Sequence, residues 1–199
     1  VYLIYFDMTQ KTAKEKILDA AAVLFYNHGI ASTGINSITD KAQVAKMSLY
    51  NNFPAKSDLV AAYIHARHQE WLDLYAKRLA QANSPRDAIL AVFAAYQDHA
   101  ECAYESGFRG CGLLNAAAEF PANSPERLAV KQHKEQIEQI LREQLQQLLT
   151  DSAHVEYLAS LLSFLLEGAI MRAGLEGSSQ KMQLAKDMAA QLLDRELAT

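Results

Sequence analysis

The side chains with the most useful chemistry lie in one short polar stretch of the chain. They bring together an ammonium, a hydroxyl, two amides and a thioether, from Lys46, Ser48, Asn51, Asn52 and Met47. Small and polar side chains of this kind can approach the edges of base pairs in the major groove of DNA. The stretch therefore indicates a surface that binds nucleic acid, if a folded element presents it.

Two short helices joined by a tight turn are predicted to present this stretch, after a longer supporting helix. The three helices are predicted over residues 9–28, 35–42 and 46–51. Ile35, Ile38 and Ala42 supply the apolar contacts of the first short helix. Gln43 and Val44 form the turn, where such motifs need a permissive residue before a buried apolar one. This order of elements predicts a helix-turn-helix.

Local signals indicate where these helices begin, end and attach. Thr9 or Thr12 is expected to cap the first helix, and Gly29 is expected to end it. Leu49 and Phe53, four residues apart, share a face and are predicted to hold the second short helix against the core. The polar side chains of that helix are then free to face outward.

The rest of the chain shows helical periodicity interrupted by capping residues and breaks. Further helices are predicted over residues 57–82, 85–105, 113–119, 125–149, 152–172 and 179–197. Ser57, Ser84, Ser124 and Asp151 are the predicted N-caps. With about nine helices and no convincing strand, the predicted fold is all-α. It consists of a three-helix helix-turn-helix domain for DNA binding over residues 9–56 and a helical domain over residues 57–199.

Charge is distributed unevenly along the chain, although the net charge of all 199 residues is only −4. Residues 1–68 carry seven basic and five acidic side chains, whereas residues 69–199 carry twelve basic and eighteen acidic ones. A mildly basic N-terminal region followed by an acidic remainder favours an N-terminal module that faces DNA and a C-terminal part that does not.

The composition, with 50% hydrophobic and 21% charged residues, is typical of a globular protein. No apolar run approaches the roughly 18 residues that suggest a membrane span, and the first residues lack the basic segment of a signal peptide. We therefore expect a cytoplasmic protein with no membrane partner. We also expect Met8 to be the natural start and residues 1–7 to be an artefact.

No group of residues in the sequence suggests catalysis. The pattern offers no nucleophile beside a base, no phosphate-binding loop and no pair of catalytic carboxylates, so the chain is not expected to be an enzyme or to need a cofactor. His65 and His68 are the one histidine pair at a metal-ligand spacing. An exposed helix face is the preferred interpretation of that pair, and no metal site is predicted.

Two segments of the N-terminal region carry a family pattern. The first helix contributes Ile17, Leu18, Ala21, Ala22, Leu24, Phe25 and Gly29. The second short helix and the residues after it contribute the continuous segment LYNNFPAKSDL, residues 49–59. Together these segments resemble the TetR family of transcriptional regulators, strongly over residues 11–60 and in helical architecture beyond them. Residues 109–120 also look like a stretch seen in one TetR subgroup.

Four residues depart from what this family usually has, namely Thr39, Gln43, Ala45 and Asn52. Gln43 stands at the usual glycine of the turn, so a left-handed backbone or a different turn is expected there. Ala45 is expected to leave the recognition helix without a side-chain cap.

The resemblance implies a repressor that a small molecule releases from double-stranded DNA. By position it implies phosphate contacts for Thr33, Tyr50 and Lys56 and groove contacts for Lys46, Met47, Ser48 and Asn51, with Thr39 and Asn52 completing the predicted DNA-binding set. Because one short module gives limited affinity, a homodimer on a roughly palindromic operator is expected. Its recognition helices would lie about 34–36 Å apart.

The resemblance also implies that the fourth to eighth helices hold an unknown small-molecule effector. Aromatic and polar candidates for its site are Tyr63, Trp71, Tyr96, His99, Tyr104, Phe108, Cys111, Asn115, Glu119, Phe164, Glu167 and Met171. Asn115 and Glu119 are four residues apart on an apolar helix and could orient a ligand, but a solvated edge or a capping contact is the alternative.

The last two helices are expected to form the dimer interface. Two apolar stripes suggest a four-helix interface, and their members are Val155, Leu158, Leu162, Leu165 and Leu166, then Leu184, Met188 and Leu192. A monomer core is the alternative interpretation.

Release of the operator is expected when the effector changes the packing of the C-terminal helical domain. This change would swing the fourth helix and move the two recognition helices apart. Two alternatives stay open, a helical dimeric adaptor and a redox-responsive regulator that uses Cys102 or Cys111. Arg109, near Cys111 in sequence, could favour a thiolate. Small buried hydrophobic residues are the simpler interpretation of both cysteines.

Overall fold

The regular structure of residues 11–198, the part of the chain that this computed structural model describes, is entirely helical. Its helices are α1 (Ala13–His28), α2 (Ile35–Ala42), α3 (Lys46–Asn52), α4 (Lys56–Leu79), α5 (Pro85–Glu101), α6 (Gly112–Ala118), α7 (Pro125–Leu145), α8 (Ser152–Glu176) and α9 (Gln180–Leu197). The predicted all-α fold is confirmed. The predicted start at Met8, the artefact at residues 1–7 and the alternative cap at Thr9 lie outside the described residues.

A complete capping box begins α1. The Thr12 hydroxyl accepts a hydrogen bond from the Glu15 N–H at 3.3 Å, and the Glu15 carboxylate accepts one from the Thr12 N–H at 2.8 Å. At the other end, the N–H of Gly29 donates to the carbonyl of Phe25 at 3.0 Å. The caps at Thr12 and Gly29 are confirmed, and they fix the length of the helix on which α2 and α3 both pack.

The turn between α2 and α3 depends on a left-handed residue. Gln43 has φ 54° and ψ 48°, and the N–H of Val44, which follows it, donates to the carbonyl of Thr39 at 3.1 Å. The left-handed backbone expected at Gln43 is confirmed, at a conformational cost that glycine would avoid. Ala45 gives α3 no side-chain cap, also as expected.

The predicted N-cap at Ser57 is wrong. The helix α4 already begins at Lys56, so Ser57 lies inside its first turn. Asp58 takes the capping role, because its carboxylate accepts a hydrogen bond from the N–H of Ala55 at 2.9 Å. The other predicted N-caps, Ser84, Ser124 and Asp151, are confirmed by hydrogen bonds from the first turns of their helices.

The chain divides into two compact units. The first consists of the residues up to His68 together with Cys102–Gly107 and Gly112–Val130, and it contains the helix-turn-helix. The second consists of Gln69–Glu101, Phe108–Cys111 and the residues from Lys131 onward. The predicted domain boundary at residue 57 falls near the start of α4, a helix that contributes residues to both units.

The second unit is built on the packing of α5, α8 and α9 against one another. Helix α8 is apolar over most of its length, and an 18-residue window in it has a mean hydropathy of 1.5. The expectation that no such apolar run exists was therefore wrong. By length and composition alone α8 could cross a membrane, but Val155, Leu158 and Leu162 bury one of its faces inside the unit, as in an ordinary core helix.

A close backbone contact fixes the segment before α6 within this unit. A Cβ atom added to Gly174 of α8 would lie 2.5 Å from the Cα of Gly110, far inside van der Waals contact. Gly110 itself has φ +85°, a conformation that other residues rarely adopt. The segment Phe108–Cys111 is therefore fastened directly to the backbone of α8.

Candidate functional site

The helix α3 presents a polar outer face and an apolar inner one. Leu49, fully buried, and Phe53, which caps the C-terminus of α3, anchor the inner face in the first unit. The exposed residues of the helix are Lys46, Met47, Tyr50 and Asn51. Ser48 and Asn52 are half-buried and joined by a hydrogen bond from the Asn52 amide to the Ser48 carbonyl at 2.8 Å. Six of the predicted DNA-binding residues thus lie together on one short helix.

Thr33 and Thr39 differ from the other predicted contacts because both are buried. The Thr33 hydroxyl donates to the carbonyl of Gly29 at 2.6 Å, and the Thr39 hydroxyl donates to the carbonyl of Asn36 at 2.9 Å. The Thr33 hydroxyl therefore stabilises the connector between α1 and α2, and the Thr39 hydroxyl stabilises α2 itself. This placement gives them a positioning role in the first unit, where the sequence predicted direct contact with DNA.

The connector between α1 and α2 is held from three sides. Besides Thr33, the ammonium of Lys56 donates to the carbonyl of Ile30 at 2.6 Å. The Glu119 carboxylate, just after α6, accepts hydrogen bonds from the N–H groups of Ile30 and Ala31 at 2.8 Å and 2.7 Å. Glu119 was predicted to orient a ligand, and the structure gives it the alternative role, a capping contact.

Glu105 is a second carboxylate that hydrogen bonds to the helix-turn-helix region, and the sequence did not predict this role. It accepts hydrogen bonds from the Lys41 ammonium at 3.0 Å and from the Asn27 amide at 3.2 Å. Because Glu105 is 64 positions beyond Lys41 in the chain, no local pattern could have paired them.

A polar cluster lies in the second unit, with Tyr96 and Cys111 buried and Lys134 and Glu167 half-buried. The Lys134 ammonium is 2.8 Å from a Glu167 carboxylate oxygen, 3.1 Å from the Tyr96 hydroxyl and 3.6 Å from the Cys111 sulfur. Burial raises the pKa of Tyr96. Burial alone would lower the pKa of Lys134, but the neighbouring Cys111, Tyr96 and Glu167 outweigh it and raise that pKa. Lys134 therefore stays charged and Tyr96 stays neutral at physiological pH.

Lys134 was missed in the sequence, although a signal for it exists. The buried stripe of α7 consists of Val130, Ile137, Leu141 and Leu145. Lys134 lies on the same stripe, between Val130 and Ile137. A lysine within an apolar stripe needs a partner, since an isolated buried charge is costly. That interruption of the pattern could have identified the cluster.

Two buried polar atoms near this cluster have no hydrogen-bond partner among the described residues. They are the second carboxylate oxygen of Glu167 and the indole nitrogen of Trp71. The Trp71 ring lies 5.5 Å from the Tyr96 ring and 5.7 Å from His133, centroid to centroid. Because buried polar groups are nearly always satisfied, these two atoms are available to accept and to donate a further hydrogen bond.

The predicted effector residues are divided between the two units. The first unit contains Tyr63, Tyr104, Asn115 and Glu119. The second contains Trp71, Tyr96, His99, Phe108, Cys111, Phe164, Glu167 and Met171. Phe164 and Met171 are exposed on the outside of α8, so they do not line an interior site.

An exposed apolar face covers α8 and α9, and we call it the α8/α9 face. Its exposed members are Tyr157, Leu161, Phe164, Met171, Leu175, Leu184 and Met188, and the half-buried Leu165 lies among them. Four predicted interface residues, Val155, Leu158, Leu162 and Leu166, are instead buried in the second unit and cannot reach another chain. The prediction therefore placed part of the dimer interface on the inward side of α8. The sequence could not distinguish the two sides, because apolar residues lie all round this helix.

Comparison with known proteins decides which class of helix-turn-helix protein this is. Residues 17–63 match the family described as "Bacterial regulatory proteins, tetR family", and residues 85–189 match "Tetracyclin repressor-like, C-terminal domain". The chain belongs to the TetR family. It is thus a TetR-type DNA-binding transcriptional regulator, and since the family is not enzymatic, the expectation that the chain is not an enzyme is confirmed.

Individual TetR-type relatives support this assignment over nearly the whole chain. The HTH-type transcriptional regulator LmrA of Bacillus subtilis is 24% identical over 165 residues, which cover 82% of this chain and 87% of that protein. A TetR-family regulator from Streptomyces coelicolor has a TM-score of 0.83 and 26% identity, covering 94% of this chain and 96% of its own. A TetR regulator from Chloroflexus aurantiacus has a TM-score of 0.76 and 25% identity, with 92% and 94% covered. TetR membership brings operator DNA binding and a dimerisation domain.

The contact of Glu119 with the connector predicts a measurable loss of stability. Glu119→Ala removes the acceptor of two backbone N–H groups, and we expect the free energy of unfolding to fall by about 1–3 kcal/mol. Glu119→Gln keeps one carbonyl acceptor and should lose less. The measurement is urea unfolding followed by circular dichroism.

Glu135→Ala is the matched control for that experiment, because Glu135 forms only an exposed i,i+4 pair with Lys131 on α7. It should change stability by a few tenths of a kcal/mol at most. Equal losses for Glu119→Ala and Glu135→Ala would show that the carboxylate does not hold the connector.

Proposed function

We propose that this regulator is a homodimeric repressor that binds a roughly palindromic operator through α3 and leaves it when a small molecule enters the second unit. The observation that carries the DNA part is the concentration of exposed Lys46, Met47, Tyr50 and Asn51 on one short helix anchored by Leu49. An operator-binding protein works where the chromosome is, so we expect it in the cytoplasm.

The proposed contacts divide by chemistry. Lys46 and Asn51 offer hydrogen bonds to base edges, and Tyr50 offers its hydroxyl to a phosphate. Lys56 donates one of its three N–H bonds to Ile30, which leaves the others for a phosphate. Ser48 and Asn52 are half-buried and contribute at the edge of the surface.

The DNA proposal predicts a loss of operator binding on removal of one ammonium group. An operator is first selected from random duplexes with the wild-type protein, at low salt where phosphate contacts are strongest. Lys46→Ala should then weaken binding roughly 5–150-fold, as expected for about 1–3 kcal/mol from a lost base contact. The measurement is fluorescence anisotropy with labelled operator.

Lys131→Ala supplies the control, because Lys131 is an exposed lysine on α7. It should bind operator like the wild type. Should Lys46→Ala also bind like the wild type, α3 is not the reading element.

The homodimer proposal rests on the α8/α9 face. Neighbouring large apolar side chains exposed together on one face, such as Phe164, Leu175 and Leu184, are typical of an interaction site. Two copies of α8 and α9 would bury it in a four-helix interface, in which the same patch of each subunit meets its counterpart. Arg172 and Lys181 lie at the same surface and belong to its polar border.

A charge placed in this face should separate the subunits. Phe164 is 71% exposed, so Phe164→Asp leaves the fold of each subunit intact while placing a carboxylate in the interface. Sedimentation equilibrium should show a dimer for the wild type and a monomer for Phe164→Asp. Leu128→Asp, an exposed leucine of α7 within the first unit, should remain dimeric. A dimeric Phe164→Asp would place the interface elsewhere.

The effector proposal rests on the polar cluster of Lys134, Tyr96, Glu167 and Cys111 beside Trp71. Aromatic walls with a few polar groups are the usual lining of a small-molecule site. The unpaired Glu167 oxygen and Trp71 nitrogen offer an acceptor and a donor to a ligand. Trp71 and Lys56 belong to the same helix, α4, so a change at Trp71 can be transmitted along that helix to Ile30 in the connector.

A second candidate signal is a thiol-reactive compound acting on Cys111. The specific observation is the Lys134 ammonium 3.6 Å from the Cys111 sulfur, which places a cation directly beside the thiol. Lys134 is a basic neighbour of Cys111 that the sequence did not suggest.

Trp71, the single tryptophan of the chain, provides a direct readout of the effector proposal. Compounds that release the operator should also change the fluorescence of Trp71. Glu167→Gln should weaken that response at least 10-fold while leaving operator affinity unchanged, because one charged hydrogen bond contributes about 1.5–3 kcal/mol.

Glu135→Gln should respond like the wild type. A response that survives in Glu167→Gln and disappears in Cys111→Ser would instead favour the thiol-reactive signal. Release of operator without any change in Trp71 emission would place the effector away from this cluster.

A further inference from the structure

Among the described residues up to His68, two large apolar side chains are exposed, and both lie on α3. They are Met47, 71% exposed, and Tyr50, 41% exposed. The other large apolar residues of this region are held in its core or at its edge. The most exposed apolar side chain of the helix-turn-helix is thus placed on the element that enters the groove.

The fold leaves Met47 no place inside the unit. Leu49 is fully buried and Phe53 nearly so, and these two side chains occupy the inner side of α3. Met47 lies three residues before Tyr50 and four before Asn51, so the three share the outward side of the helix. Met47 is therefore the one side chain of this outward face without a hydrogen-bonding group of the kind that Lys46, Tyr50 and Asn51 carry.

Only one group on the major-groove edge of a base pair is apolar, and it is the 5-methyl group of thymine. A methionine suits this group, since its unbranched thioether side chain is flexible and polarizable and adapts to an irregular surface. Lys46 and Asn51 beside it can hydrogen bond to neighbouring bases but gain nothing from a methyl group. The second residue of the helix is also well placed, because N-terminal residues of a recognition helix contact base edges.

We propose that Met47 is a specificity-determining residue that packs against the 5-methyl group of a thymine in each half-site of the operator. The proposal rests on the function proposed above for α3 and names the base that α3 selects at this position. Burial of one methyl group against the thioether gives a preference of about four-fold for thymine over uracil at that position.

The test removes the methyl group from the DNA and the thioether from the protein in turn. Each thymine of the selected operator is replaced by deoxyuridine, which keeps every hydrogen-bonding group of the base and lacks only the methyl. The wild type should lose about four-fold in affinity at one thymine of each half-site, and about 16-fold when both are replaced. Met47→Ala should bind the thymine operator more weakly and show no further loss on the same replacements.

Leu128→Ala is the control, because it truncates an exposed apolar side chain of the same unit outside the helix-turn-helix. It should keep the full sensitivity to deoxyuridine. If the wild type binds the operator but Met47→Ala retains that sensitivity, or no thymine is sensitive, the inference about Met47 is overturned while the operator proposal stands. If the wild type binds no duplex even at low salt, both proposals fail.

Discussion

The burial of Leu49 and Phe53 beneath α3 is the interaction on which the function of the chain depends. A helix of seven residues is too short to be stable by itself in water, and this one lacks a side-chain cap at its start. Its geometry is therefore imposed by the two apolar side chains on its inner side and by the turn at Gln43. The outward surface of α3 follows from this attachment, because the buried inner side fixes which residues are turned outward.

The attachment is extended by contacts with distant parts of the chain. Glu119 and Glu105 come from segments after α5, yet both belong to the same compact unit as the helix-turn-helix and hold its backbone or its helix ends. The unit that contains the helix-turn-helix is therefore not formed by N-terminal residues alone. Cys102–Gly107 and Gly112–Val130 are structural parts of it, whereas Phe108–Cys111 belongs to the second unit.

Local signals made much of this fold predictable. The capping residues Thr12, Ser84 and Asp151 and the stop at Gly29 act over a few residues, so the sequence itself reveals them. Predictions that needed knowledge of distant neighbours were less successful. The role of Glu119 depends on the N–H groups of Ile30 and Ala31, almost ninety positions away. The choice of which side of α8 faces inward depends on its packing against α5 and α9. Apolar residues lie on all sides of this helix, so its sequence alone does not show which side is buried.

The contact between Gly110 and Gly174 has a consequence for how this sequence can change over evolution. Two backbones meet there with no room for a side chain on α8, and Gly110 also needs a positive φ. The two positions are constrained in different ways, since a side chain at Gly174 would require the segment carrying Cys111 to move off α8, whereas one at Gly110 would have room but a strained backbone. A lineage that gained a side chain at Gly174 would have to rebuild the neighbourhood of Cys111 and Lys134 at the same time, because the Lys134 ammonium lies 3.6 Å from the Cys111 sulfur.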